Sequence, residues 1–303
     1  MTDSSPTAET TQSKLRWYQF RLRSLFLLTL LVAIGMSYVA VTIQNQRKQH
    51  QAAEEIENAG GRVGVRPTWL GRRLRDDSLV SVAAVDLTRT SNTDAVLMHL
   101  QGLSQLQQLF LGNSQGTDAG LVHLEGLSQL QILGLNNTQV TDAGLVHLQG
   151  LSQLMSLMLD KTQITDAGLV QLEGLHHLQG LELNNTQVTD AGLVHLQGLS
   201  QLRSLNLSDT KVGDAGLAYI QGLSQLKGLY LAKTKVSDAG LVHLQRLGQL
   251  QDLGLNNTQV TDAGLVHLQG LSQLKTLWLV GTKVTNDGIK KLQQALPKCQ
   301  IMR

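Results

Sequence analysis

The strongest constraint on this chain is a cycle of 24 residues. The segment Leu133-Gly134-Leu135-Asn136-Asn137-Thr138-Gln139-Val140-Thr141-Asp142-Ala143-Gly144-Leu145 recurs letter for letter from Leu253. A unit this short holds too little to fold alone. Its inward apolar groups, about eight in number and worth roughly 1.5–3 kcal/mol each when fully buried, face a backbone ordering cost of roughly 1–2 kcal/mol per residue. Such units become stable by stacking, which buries their faces, pairs their strands and builds a solenoid whose default role is binding.

Leucines set the frame. Leu130, Leu133, Leu135, Thr138 and Val140 follow L-x-x-L-x-L-x-x-T-x-V, and cycles begin at Val82, Leu106, Leu130, Leu154, Leu178, Leu202, Leu226, Leu250 and Leu274, with Ile301 keeping the phase of a tenth strand. The L-x-L core alternates as a half-buried strand does, and the Thr-Asp-Ala-Gly-Leu-Val-His-Leu stretch after it switches to helical spacing. The pattern resembles the leucine-rich repeat family, with threonine in the slot usually held by asparagine or cysteine. The expected fold class is α/β: a leucine-rich repeat solenoid with a curved parallel sheet and short outer helices.

Two polar columns run through the cycles. The aspartates (Asp94, Asp118, Asp142, Asp166, Asp190, Asp214, Asp238 and Asp262) look like a row of acids. Their place at the start of each outer helix makes them, or the threonine before them such as Thr141, caps for orphan amides. The threonines (Thr90, Thr138, Thr162, Thr186, Thr210, Thr234, Thr258 and Thr282, with Ser114 in phase) are placed to donate to carbonyls left bare at strand ends.

Ahead of the array, Ser24 to Ile43 is a run of 20 residues without a charge. As a helix it would reach about 30 Å, the depth of a bilayer core. Trp17, Tyr18 and Phe20 at one edge and Tyr38 near the other suit the interfaces. Lys14, Arg16, Arg21 and Arg23 before the run outweigh Arg47 and Lys48 after it, so a cytoplasmic amino terminus and an exported repeat domain are expected. The length of the run and the lack of an A-x-A-like site behind it argue against a cleaved signal peptide.

The chain thus divides into a basic tail (1–23), a transmembrane helix (24–43), a helical stem (44–59) with Ala52, Ala53 and Ile56 on one face, an N-terminal cap (60–81), nine repeats (82–297) and a closing strand (298–303). Trp69, Leu70 and Leu74 are expected to cover the first unit. Lys290 to Pro297 reads as a more polar last helix, so that the solenoid looks capped at both ends and complete. The span, the stretch Ala53 to Val63 and the Thr-Asp-Ala-Gly-Leu cycles together resemble membrane-anchored repeat proteins of planctomycete bacteria. The cycles are also similar to those of F-box repeat proteins, which select ubiquitin-ligase substrates, although no F-box-like segment precedes them.

Little in the sequence points to catalysis. Phosphate-loop, zinc-type and nucleophile patterns are missing, the lone Cys299 excludes an internal disulfide framework, and a net charge of +2 exerts no general pull on nucleic acid. No enzyme activity and no cofactor are expected. The histidines of one helix phase (His99, His123, His147, His195, His243 and His267) are interrupted by Gln171 and Tyr219 and show no matching carboxylate, so metal binding is not expected either.

One column varies while its neighbours repeat. Between the two strand leucines stand Asp86, Phe110, Gly134, Met158, Glu182, Asn206, Tyr230, Gly254 and Trp278, outward on the concave sheet, and three of the four aromatics of the array fall there. Drift among recently duplicated repeats would give such a column too. Arg203, Lys211, Lys227, Lys233, Lys235, Lys275 and Lys283 lie in the strand and loop phases of the later cycles, where they would steer an anionic patch. The candidate partner-binding residues are therefore Phe110, Met158, Glu182, Asn206, Tyr230, Trp278, Lys233, Lys235 and Lys275. The expected function is a membrane-anchored module that binds a protein or an anionic surface polymer, the alternative being a self-associating structural surface protein. Asn136, Asn184, Asn206 and Asn256 fit the N-glycosylation pattern.

Overall fold

A computed structural model describes residues 8–303, with side chains from residue 21 onward. The side chains of Lys14, Arg16, Trp17, Tyr18 and Phe20, on which the basic-tail and interfacial-aromatic expectations rest, lie outside that description. Among the described residues, strands β1 (Arg62–Pro67), β2 (Val80–Asp86), β3 (Gln108–Phe110), β4 (Ile132–Gly134), β5 (Ser156–Met158), β6 (Gly180–Glu182), β7 (Ser204–Asn206), β8 (Gly228–Tyr230), β9 (Asp252–Gly254), β10 (Thr276–Trp278) and β11 (Gln300–Met302) form one open sheet in chain order. From β2 to β11 each strand pairs in parallel with the next.

The register is one full cycle, so Leu109, Leu133, Leu157, Leu181, Leu205, Leu229, Leu253 and Leu277 stack in a column with no exposure at all. A slip of one residue would turn that whole column outward, and burial therefore fixes the register. The return segments are short helices, from a turn of α-helix as at Asp118–Leu121 or 3-10 helix as at Gly144–Leu148 to the last and longest, Asn286–Ala295. Each threonine of the inward column except Ser114 donates its hydroxyl to the carbonyl three residues back; Thr138 to Leu135 (2.7 Å) is typical. Ser114 instead accepts from the Gly116 amide.

The aspartate column works between repeats. Thr165, with its hydroxyl 3.2 Å from the Ala167 amide, caps its own helix, while Asp142 of the preceding cycle accepts the Thr165 amide (2.8 Å) and hydroxyl (2.5 Å). All eight aspartates from Asp94 to Asp262 bond forward in this way, Asp190 to the Gly213 amide alone. Of the two caps that the sequence allows, threonine or aspartate, the threonine is the one used, and the aspartate serves the next repeat instead. The glycine two residues later has a steric reason: a methyl group on Gly168 would overlap the Asp142 carboxylate, and the same holds at every cycle from Gly120 to Gly288.

Compactness divides the described residues into two units, 51–66 with 81–303 and the earlier residues up to 50 with 67–80. In the first, Ala53 and Ile56 belong to the leucine core, Ile56 wholly buried. The long helix Ala8–Asn58 stops there in a Schellman arrangement, with Gly60 at φ 89° and the Gly60 and Gly61 amides bonded to the Glu57 and Ile56 carbonyls (both 2.9 Å). In the second unit, Thr68 caps the helix Trp69–Leu74. There Leu70 is buried, but Trp69 and Leu74 are 64% and 53% exposed, contrary to the expectation that all three turn inward. The helix is only Trp69–Leu74 long, and its covered side holds Leu70 and Gly71.

Among the described residues one helical stretch, Arg21–Asn58, is long and apolar enough to cross a membrane, and none of its apolar window is buried within the protein.

Candidate functional site

Parallel pairing converts the variable column into a physical row. Asp86, Phe110, Gly134, Met158, Glu182, Asn206, Tyr230, Gly254, Trp278 and Met302 are neighbours across successive strands, each about 4.8 Å from the next. The leucines on either side point inward, so these side chains stand on the open face. They are half-buried rather than fully exposed, because each leans on its neighbours in the row.

Glycines shape the row. Gly254 leaves a gap between Tyr230 and Trp278, and the two rings meet across it with centroids 6.1 Å apart and planes tilted by 45°. A methyl on Gly254 would sit 3.3 Å from the Tyr230 ring, and one on Gly134 would sit 3.2 Å from Phe110. The aromatics therefore lie over their glycine neighbours as low walls on the sheet. Tilted aromatic pairs at this distance are mutually stabilising.

The polar members are held in place. Glu182 bonds to the Asn206 side chain, Asn206 Oδ1 accepts the Ser208 amide (3.0 Å), and Asp160 Oδ1, one step beyond β5, accepts the Asn184 amide (3.1 Å). Burial pushes the Glu182 and Asp160 carboxyls above their ordinary values, and the Asp160 charge raises Glu182 further. The Tyr230 hydroxyl is raised by burial, then by Asp252 and Glu182.

The structure departs here from the expected basic surround of the aromatics. Lys233 occupies the left-handed turn after β8 (φ 57°) with Nζ 4.0 Å from Asp209, Lys275 Nζ bonds to Gln251 (2.9 Å), and Lys233, Lys235 and Lys275 are all exposed. Asp252 and Glu182, which lie within strands β9 and β6, act on the Tyr230 hydroxyl, and the three lysines stand outside the strands. Asp160, which with Glu182 and Asp209 marks the middle of the array in the sequence, stands two residues after Met158, and Asp252, which the leucine-to-leucine column did not contain, joins the face on β9. Its signal is period-two spacing, since it stands two residues before Gly254.

On the outer side the histidines do have carboxylate partners, against expectation. His99, His147 and His195 contact Glu55, Glu125 and Glu173 at 2.7, 2.7 and 2.6 Å, and His123 and His267 meet Gln101 and Gln245. Glu125 and Glu173 lie 22 residues before their histidines, and Glu55 stands on the long helix ahead of the repeats, placements that inspection of a single outer helix does not reveal. Among the described residues no group of three or more potential ligands converges.

This architecture defines an open-sheet repeat solenoid with a side-chain-rich face, a binding module rather than an enzyme. Residues 152–212 match the leucine rich repeat family model. It is similar to an internalin C2 from Listeria monocytogenes (25% identity, TM-score 0.52, covering 69% of this chain and 84% of that one). It is also similar in fold to the plant peptide hormone receptor RGFR1, solved in complex with RGF2 (18% identity, TM-score 0.53, covering 79% of this chain); it spans 36% of that receptor chain. No curated protein matches the sequence.

Proposed function

We propose that this protein is a single-pass membrane protein that displays its repeats outside the cytoplasm and binds a protein or a surface polymer through the open sheet face between Phe110 and Trp278. The observation that carries the reading is the Tyr230–Trp278 pair seated over Gly254 on a face whose neighbouring leucines are all turned inward. Large, partly exposed aromatics on a rigid sheet are what binding hot spots are made of. The receptor similar in fold holds its peptide hormone in the solved complex, a precedent for partner binding by such a solenoid.

The anchor reading rests on the apolar stretch. Leu25, Phe26, Leu31 and Met36 are all more than 60% exposed, which water disfavours and lipid does not. Within it, the Thr29 and Thr42 hydroxyls donate to the Phe26 and Tyr38 carbonyls (2.9 and 2.8 Å), so these polar groups are satisfied by the helix itself.

The test is site-directed photo-crosslinking in source membranes, with the crosslinker placed at Trp278 or, on the outer face, at Val146. A partner captured from position 278 and not from 146 supports the reading. Capture from 146 alone overturns it in favour of association through the outer helices.

A further inference from the structure

The middle of the open face carries carboxylates that no basic side chain among the described residues neutralises at close range. Asp86, Asp209 and Asp287 each sit within ion-pair distance of Arg62, Lys233 and Lys290. Among the described residues, Asp160, Glu182 and Asp252 have no such basic neighbour, and Asp160 feels Lys161 only at longer range. Glu182 lies two strands before Tyr230, Asp160 follows the strand before that of Glu182, and Asp252 lies on the strand between those of Tyr230 and Trp278. Half-buried carboxylates beside ring faces form a surface that is short of a cation.

Guanidinium meets each requirement. It forks onto a carboxylate, stacks on an aromatic face and is less strongly hydrated than ammonium, whereas an anionic polymer would set its charges against those of the face. We infer that the partner is a protein that lays a basic segment along this face, an arginine lodging between Glu182 and Tyr230 and apolar neighbours resting on Trp278 and Met158. This rests on the open-face reading above and narrows its partner to a cationic protein. The exposed lysines at the margins then act as a fence that disfavours misplaced basic segments.

The experiment uses the full-length chain in nanodiscs of zwitterionic lipid, with Trp17→Phe and Trp69→Phe so that Trp278 alone reports. The probes are the peptide acetyl-Leu-Arg-Leu-Arg-Leu-amide, its uncharged citrulline analogue, and dextran sulfate. The arginine peptide should shift Trp278 fluorescence and bind at least about tenfold more tightly than the citrulline analogue, with a salt dependence that marks ion pairing. Glu182→Gln with Asp160→Asn and Asp252→Asn should weaken it by about tenfold or more, while Glu125→Gln with Asp209→Asn and Asp287→Asn, an equal change of net charge, should leave it within about twofold. Each single substitution is measured as well, in case the triple variant unfolds. Equal losses in the two triple variants, or preference for dextran sulfate, would overturn the inference. If position 278 still captures its partner and the Glu182 triple variant captures it as well as the parent does, the open-face reading stands and the basic segment falls.

Discussion

The forward-reaching aspartate makes a sharp prediction at the contact between Asp142, Thr165 and Gly168. Asp142→Ala removes two charge-assisted hydrogen bonds, at 2.8 and 2.5 Å, each worth about 1.5–3 kcal/mol. Thr165 is half exposed, so water replaces part of the loss, and a net cost of about 2–4 kcal/mol follows. Gly168→Ala leaves both bonds' atoms in place but pushes a methyl into the carboxylate, an overpacking that costs about 1–3 kcal/mol. In the double variant the methyl enters the space the carboxylate has left, so the pair should cost scarcely more than Asp142→Ala alone, a coupling of about 1–3 kcal/mol. Gly150→Ala serves as control, since nothing lies within 4 Å of its added methyl. Urea unfolding of the full chain in mild detergent gives the energies, and hydrogen exchange localises them to the amides around β5 and β6, because repeat arrays can lose two-state behaviour. Additive effects, with coupling below about 0.5 kcal/mol, would refute the account of why the position facing the Asp142 carboxylate is glycine.

Leu157→Ala, which empties a fully buried site, should cost about 2–5 kcal/mol in the same assay, whereas His147→Ala, losing only a partly exposed contact with Glu125, should cost about 0–1 kcal/mol. Lys161 holds a left-handed turn (φ 56°) that lysine disfavours, so Lys161→Gly should stabilise by about 0.5–1 kcal/mol, and a loss on urea unfolding would count against the strain. The Glu182 carboxyl lies above its ordinary value of 4.5, so its contribution to stability is full below 4.5 and is lost as pH rises through the folded value; Glu182→Gln should accordingly raise the thermal midpoint at neutral pH and lose that advantage in acid. A topology reporter fused after Arg303 should be active only outside the cytoplasm, and cytoplasmic activity would reverse the proposed orientation.

Much of this protein is written in one dimension. The cycle, the inward leucines, the strand-to-helix alternation and the threonine donors can be read directly, because each depends on periodicity or on a partner three residues away. The variable column is visible for the same reason, since units of one chain can be compared with one another. What stacking alone decided lies a full cycle apart. Asp142 reaches Thr165 and shapes Gly168, Glu125 reaches His147, and Ile56 at the end of the long helix enters the leucine core, where Trp69 and Leu74 were expected to cover it. Tyr230 and Trp278 are 48 residues apart and touch because parallel register puts them on alternate strands with a glycine between. The charge of the site changed for the same reason. Lysines and carboxylates are equally plain as letters, but only the pleat shows that the carboxylates rise within the face while the lysines stand at its edge.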